Sequence, residues 1–458
     1  MSMPLKTGVN HECGVFSIYS NENKNLAQMV YFGLFSLQHR GQESAGISVT
    51  HNKSIRYYKN LGLVSKVFDP IKLSEFPEGN IAIGHVRYAP TNNQDINSIQ
   101  PIRFTSSFGK MSIAMNGNII NSAKLRNILI EDGHIFQSKS DAEVVAALIN
   151  KYAPAGDIVT GIKLAVEQLV GSYAIVINTT TKLIAIRDPN AIMPLVLGKL
   201  NEDYIVASES CAIDNLNGSL IREIGLGEML VINNEGLTSY YMKEAKRASC
   251  IFEMIYLSRS DSIVCNRSIY NSRFETGVAL AKKYKIDADL VAGAPDSGVI
   301  AARGYSVESG IPYKDILCKN RYVGRSFILP EQQDRETSVK IKLNAVRSNI
   351  EGKKVILIDD SIVRGTTSRK IIKLIKNAGA KEVHLLIASP PIINPCYYGV
   401  DMRDRKHLMA ANLTIDEMCK IVEADSINYL PVDDIIECCG GSGFCTACFT
   451  GDYPTEIE

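Results

Sequence analysis

Excess charge of either sign is nearly absent: 50 Lys and Arg stand against 49 Asp and Glu, a net of +1 with histidine neutral. A chain so balanced has no basic field to recruit nucleic acid or an anionic membrane surface, so neither is expected as a partner. Long hydrophobic runs are missing as well, and none approaches the length that spans a bilayer. The opening residues, MSMPLKTGVNHE, are neither apolar like a secretory signal nor Arg-rich like a transit peptide, so a cytoplasmic location is expected. No internal repeat or low-complexity tract is present.

What remains is a 458-residue chain with 45% apolar residues, enough for two domains with separate cores. Its 11 cysteines are an odd number in a large chain without an export signal. In a reducing compartment such cysteines are more often buried, catalytic or metal-bound than paired in disulfides.

The first half is rich in short alternating apolar segments, each bounded by Gly, Asn, Asp or Pro, which read as strands. Examples are Cys13–Tyr19, Ile81–Tyr88, Ser112–Met115, Tyr173–Ile177, Lys182–Ile186 and Tyr204–Ala207. Helical spacing interrupts them at Leu26–Gln38 and at Ser140–Tyr152, where Ser140 or Asp141 can cap. That mixture predicts a layered α+β domain. Beyond about residue 245, in the polar stretch KEAKR, the pattern changes. Asp289–Ala294, Lys354–Asp359 and Glu382–Ala388 read as buried strands, and Thr366–Ala378 as a helix closed by Gly379. A strand–helix–strand unit of that kind implies a parallel sheet. The expected division is therefore 13–245 and 246–458.

The most informative string is VILIDDSIVRGTTS, Val355–Ser368. A buried strand ends in two adjacent carboxylates, Asp359 and Asp360, and a turn through Arg364 and Gly365 enters a helix at Thr366, Thr367 and Ser368. Free N–H groups and hydroxyls at a helix N-terminus cradle phosphate, and paired carboxylates suit ribose hydroxyls or Mg²⁺. A lone Asp-Asp-Ser would be only an acidic turn; the whole string resembles the signature by which type I phosphoribosyltransferases bind phosphoribosyl pyrophosphate (PRPP). The resemblance puts the turn from Arg364 to Ser368 on the 5-phosphate and Asp359 and Asp360 at the ribose and metal. It puts pyrophosphate at the Asp-Ser-Gly turn of Ala294–Val299, with Ser297 completing the Mg²⁺ site. The basic stretch Lys319–Arg347, with Arg325 and Lys342 as further substrate contacts, is expected to close over PRPP and shield a hydrolysable ribosyl cation from water.

Cys13 heads the run CGVFSIY, and the strings LQHRGQESAGI, GHVRY, AMNGN and SKSDAE follow it. Alone, Cys13 reads as a small buried hydrophobe. With those strings it resembles the class II glutamine amidotransferases, whose fold is the four-layer αββα of the N-terminal nucleophile hydrolases. Removal of residues 1–12 as a propeptide would give Cys13 a free α-amine of pKa about 8, able to serve as its own general base. The resemblance assigns Asn116 and Gly117 to the oxyanion hole, Arg87 to the glutamine carboxylate and Asp141 to the glutamine amino group.

Both signatures in this order resemble the amidophosphoribosyltransferase family, from Cys13 to the C-terminus, with CIFEMIYLSRSDS and ACFTGDYPTE also matching. The resemblance implies glutamine and PRPP as substrates, 5-phosphoribosylamine, glutamate and pyrophosphate as products, a homotetramer, and feedback inhibition by purine nucleotides. One branch of the family holds a 4Fe–4S cluster, and its thiolate positions match Cys250, Cys396, Cys445 and Cys448. Four soft thiolates suit such a cluster, and structural Zn²⁺ as well. The chain departs from the family at Asn190, Ala191 and Met193, at Met115 and at Ala89–Pro90, all expected near the glutamine site or its support. Two other functions compete: a glutamine amidotransferase with another acceptor, and a PRPP-sensing regulator on a phosphoribosyltransferase fold. The PRPP string opposes the first, and the balanced charge with the Cys13 constellation opposes the second. Ammonia freed at Cys13 would protonate in water, so a closed apolar passage, formed when the basic stretch orders on PRPP, is expected between the sites.

Overall fold

The computed structural model describes residues 13–88, 95–152, 157–242, 245–320, 343–402 and 404–457. The first half holds two antiparallel sheets stacked face to face. One runs Ser219–Glu223, Val196–Leu200, Asp203–Ala207, Gly14–Lys24, Gly79–Arg87, Ser44–His51 and Ser54–Leu61 in spatial order. The other runs Gly236–Tyr241, Glu228–Asn233, Leu183–Arg187, Gly171–Asn178, Gly109–Ile119 and Ile102–Ser106.

Side-chain alternation sorts each strand between two cores. From Gly14–Lys24, Phe16 and Ile18 pack with Val30 and Leu34 of helix Leu26–Ser36 on the outer face, while Val15 and Tyr19 point between the sheets. From Gly109–Ile119, Met111, Ile113 and Met115 pack outward on helices Asp141–Tyr152 and Ile158–Val166, and Ala114 turns inward. Helix, sheet, sheet, helix is the expected four-layer αββα arrangement. Burial on both faces makes several of these strands nearly continuous apolar runs, as in Gly171–Asn178, where the sequence suggested alternation.

The second half holds the predicted parallel sheet, in the order Leu290–Gly293, Lys354–Asp359, Glu382–Ile387 and Ser426–Tyr429. The last strand escaped sequence reading, because SINY is short and only half apolar. Helices Ile269–Lys283 and Val299–Ser309 cover one face; Thr366–Asn377 and Ile415–Val422 cover the other. Gly379 follows Thr366–Asn377 at φ +97° and its N–H bonds back to Lys376, the predicted helix stop. Ile415–Val422 starts at a capping box in which Thr414 and Glu417 satisfy each other's backbone N–H.

The halves are joined closely. Ser249–Cys250 pairs in parallel with Phe444–Cys445 near the C-terminus. Asn118 Nδ2 donates to the Tyr397 carbonyl at 2.9 Å, and the Ser172 hydroxyl donates to that of Tyr398.

Candidate functional site

Strand Lys354–Asp359 delivers Asp359 and Asp360, both buried, to the mouth of a cleft with about 600 Å³ of empty space. Ser297, Tyr256 and the whole run Asp359–Ser368 line it. Gly365 caps helix Thr366–Asn377 at φ +70°, a left-handed conformation that costs other residues about 1–2 kcal/mol. A Cβ there would also come within 2.3 Å of the Met409 sulfur. The turn thus aims the helix's free N–H groups and three hydroxyl side chains at the cleft.

Electrostatics mark the same spot. Burial, then the Asp360 charge beside it, pushes Asp359 well above the usual carboxylate range. Burial also raises Asp360, against the opposing pull of the Ser297 and Ser361 hydroxyls and the Arg273 guanidinium. Two crowded buried carboxylates beside a hydroxyl fit a divalent cation, which would relieve their repulsion. Lys319 pairs with Asp296 in the Asp-Ser-Gly turn. Leu317–Lys319 pairs with Leu343–Ala345, so the two ends of the basic stretch meet beside the cleft. Arg325 and Lys342 themselves lie outside the described residues, as do residues 1–12 and the Ala89–Pro90 departure.

The glutamine constellation assembles where the two sheets face. Cys13 heads strand Gly14–Lys24, and its sulfur lies 3.9 Å from the Tyr88 carbonyl. Gly14 pairs with Val86, which puts Arg87 at the adjacent strand end. His85 Nε2 lies 3.1 Å from the Met115 carbonyl across the gap. Arg87, two residues further along, shares the face of His85, and its charge is felt there. Burial, then the Arg87 charge, lowers His85 to about 3, so its imidazole stays neutral at physiological pH. Asn116 is fully buried, and neither atom of its amide has a partner among the described residues. A buried unpaired amide is costly unless a ligand completes it. Gly117 has φ +123°, and a Cβ there would meet the Ser172 carbonyl at 2.2 Å, so the position requires glycine. Asp141 accepts from Ile119 N at 3.1 Å and the Ser122 hydroxyl at 2.6 Å, tying the helix start to the strand that carries Asn116.

Cys250, Cys396, Cys445 and Cys448 line one apolar cavity with about 350 Å³ of empty space, shared with Ile192, Phe252 and Tyr453. Burial drives Cys448 well above the ordinary thiol range, and the neighbouring Cys396 and Cys445 sulfurs add to it. The Tyr398 N–H donates to the Cys396 sulfur at 3.4 Å. No three His, Cys, Asp or Glu side chains among the described residues are placed to hold a single metal ion. Four thiols around one apolar cavity are a donor set that fits either a 4Fe–4S cluster or a structural Zn²⁺.

Of the sequence departures, Met115 and those in the Arg187–Leu195 loop lie among the described residues. In the Arg187–Leu195 loop the Ala248 N–H bonds to Asn190 O at 2.8 Å and the Cys250 N–H to Ile192 O at 3.1 Å, so the loop braces the cysteine cavity. Ala191 has φ +51°, a left-handed conformation that favours glycine. Met115 packs between sheet and helices, and only its backbone faces the glutamine constellation.

Three buried charges had no predicted role. Arg40 Nε donates to the Cys13 carbonyl at 3.1 Å, and its Nη atoms reach Glu209 at 2.7 Å and Glu253 at 2.6 Å. The signal was present: Glu253 stands inside the apolar run CIFEMIYL, and an acid there needs a partner.

Residues 85–215 match the glutamine amidotransferase domain model and residues 271–389 the phosphoribosyl transferase domain model. Fold and site thus define a glutamine amidotransferase joined in one chain to a phosphoribosyltransferase. The amidophosphoribosyltransferase of Methanocaldococcus jannaschii is 45% identical over 97% of this chain and 98% of its own. That of Bacillus subtilis is 44% identical over 98% and 95%. The chain belongs to the amidophosphoribosyltransferase family. The crystal structure of the B. subtilis glutamine PRPP amidotransferase complexed with ADP and GMP superposes with a TM-score of 0.91 at 43% identity, covering 97% of this chain and 98% of that one. A structure described as the allosteric regulatory enzyme of purine biosynthesis gives 0.92 at 44%, covering 97% of each. The reaction is therefore transfer of glutamine nitrogen to PRPP, the first step of purine biosynthesis. No helix among the described residues is long and apolar enough to cross a membrane.

Proposed function

We propose that Cys13, freed by removal of residues 1–12, attacks the glutamine amide, with its own α-amine as base. Asn116 and the Gly117 N–H hold the tetrahedral oxygen, Arg87 the carboxylate and Asp141 the amino group of glutamine. The supporting observation is the buried, unpartnered Asn116 amide on the sheet facing Cys13. Ammonia then attacks C1 of PRPP bound with its 5-phosphate on Arg364–Ser368. Arg325 and Lys342 supply further charge to the substrate. Ser297, Asp359 and Asp360 would hold Mg²⁺, which when bound supplies charge neutralisation to the leaving pyrophosphate. A closed apolar passage, formed when the basic stretch orders on PRPP, carries ammonia between the sites.

The domains divide near residue 245, and a 4Fe–4S cluster on Cys250, Cys396, Cys445 and Cys448 braces their junction. The working form is a cytoplasmic homotetramer inhibited by purine nucleotides, in keeping with the B. subtilis structure complexed with ADP and GMP. The Cys448→Ser variant, purified anaerobically, is expected to lose the iron and visible absorbance of the parent and to melt at lower temperature.

Coupling is tested by counting products. Glutamate and pyrophosphate should appear in equal amounts, and only when glutamine, PRPP and Mg²⁺ are all present. Equal glutamine turnover with and without PRPP would sink the gated passage; glutamate without pyrophosphate would sink the coupled mechanism.

A further inference from the structure

Arg40 is 1% exposed and its guanidinium is held from several sides. Glu253 takes both Nη atoms, at 3.0 and 2.6 Å, Glu209 takes Nη1 at 2.7 Å, and Nε is directed to the Cys13 carbonyl. Glu209 follows strand Asp203–Ala207 of the first sheet, and His39 closes on it at 2.6 Å. Glu253 lies outside both amidotransferase sheets. It opens the five-residue π-helical turn Glu253–Leu257 that leads into the phosphoribosyltransferase half.

That turn is locked from the other side. Arg273, on helix Ile269–Lys283, donates to the Met254 carbonyl at 2.9 Å and the Ser258 carbonyl at 2.8 Å. The Ser258 hydroxyl donates to Glu253 itself. Tyr256, within the turn, lines the phosphate cleft. A triad of buried charges is a weak source of stability, since apolar residues of the same volume often serve as well. What it supplies is orientation.

We infer that Glu253 is a positioning residue for the glutamine half-reaction: by fixing Arg40 it fixes the Cys13 carbonyl and, through the shared Cα, the thiol and α-amine. The inference rests on Cys13 being the nucleophile. Misplacement of a reacting group by about 1 Å costs on the order of 10²-fold in rate. Neutralising Glu253 weakens the acceptor that takes both Nη atoms, leaves more of the hold to Glu209, whose carboxylate His39 also engages, and lets the guanidinium swing away from Cys13. A segment of the phosphoribosyltransferase half thereby completes the amidotransferase site.

The test compares the parent, Cys13→Ala, Glu253→Gln and Glu253→Asp as full-length chains, with glutamine and with ammonia as nitrogen donors. Expected for Glu253→Gln is a fall of at least tenfold in glutamine-dependent kcat, with the KM for glutamine within twofold and the ammonia-dependent rate preserved. Glu253→Asp, which keeps the charge, should recover most of the lost rate. An unchanged kcat for Glu253→Gln, or a parallel fall with both donors, would overturn the inference. Full glutamine activity in Cys13→Ala would instead overturn the nucleophile assignment beneath it. If Glu253→Gln fails to fold, Ser258→Ala is read by the same two rates: a loss confined to glutamine supports the inference, and an unchanged or parallel rate overturns it.

Discussion

The Cys13→Ala variant is expected to lose glutamine-dependent formation of phosphoribosylamine by about 10³-fold or more while keeping its ammonia-dependent rate within about twofold. Alanine removes the sulfur and little else. Cys13 stands at the strand head, its carbonyl still bonded by Arg40, and the inward apolar contacts begin only at Val15. The cleft of Asp359–Ser368 belongs to the other sheet system and keeps its cores. The two donors therefore separate the reactions within one chain. A chain retaining residues 1–12 should show the same selective loss, because an acylated Cys13 nitrogen is no base. Intact-mass measurement alongside both assays checks each point. A parallel loss with ammonia would mean that the substitution damaged the phosphoribosyltransferase half.

Much of this arrangement is legible in the chain because the chemistry is local. The proposed phosphate cradle lies on one continuous string in which strand, carboxylates, left-handed glycine and helix start follow one another, so Val355–Ser368 carries nearly its whole geometry. The glutamine constellation is less local: Cys13, Arg87, Asn116 and Asp141 come from four elements. What gathers them is sheet stacking and register, Gly14 against Val86 and His85 against Met115. Only family resemblance made them readable as a set.

The residues that escaped are those whose meaning is tertiary. Arg40 and Glu253 are 213 positions apart, and no periodicity relates a guanidinium in one half to a carboxylate in the other. The Arg187–Leu195 loop was expected near glutamine for a similar reason: its neighbours are chosen by how the halves dock. Strand Ser426–Tyr429 escaped because its polar residues occupy the sheet edge, where one side needs no apolar cover.

Asp359 is where function and stability should separate most clearly. Its carboxylate is buried, sits beside Asp360, and is held well above the ordinary range by desolvation and by that neighbour. A carboxylate raised in this way binds protons more tightly folded than unfolded, so its contribution to stability declines as pH rises from the unfolded value through the folded one. Above that window the folded chain carries the full penalty of an ionised or repelled group. Asparagine has nearly the same shape, and its oxygen can still accept the Asp360 N–H, 3.0 Å away in the parent. In chelator and without substrate, Asp359→Asn is therefore expected to melt about 2 °C or more above the parent near pH 7.5, where 1 kcal/mol corresponds to about 2–4 °C in a domain of this size. The gain should shrink as pH falls toward about 4 and vanish below it, once the unfolded carboxyl has taken up its proton as well. Activity should move the other way. With one charge gone from the proposed Mg²⁺ and ribose contacts, PRPP-dependent turnover should fall by about 10²-fold or more with glutamine and ammonia alike. Melting curves across pH and the two-donor assay check both halves. A variant that is less stable and still active would mean that the crowded pair serves the fold and not the substrate.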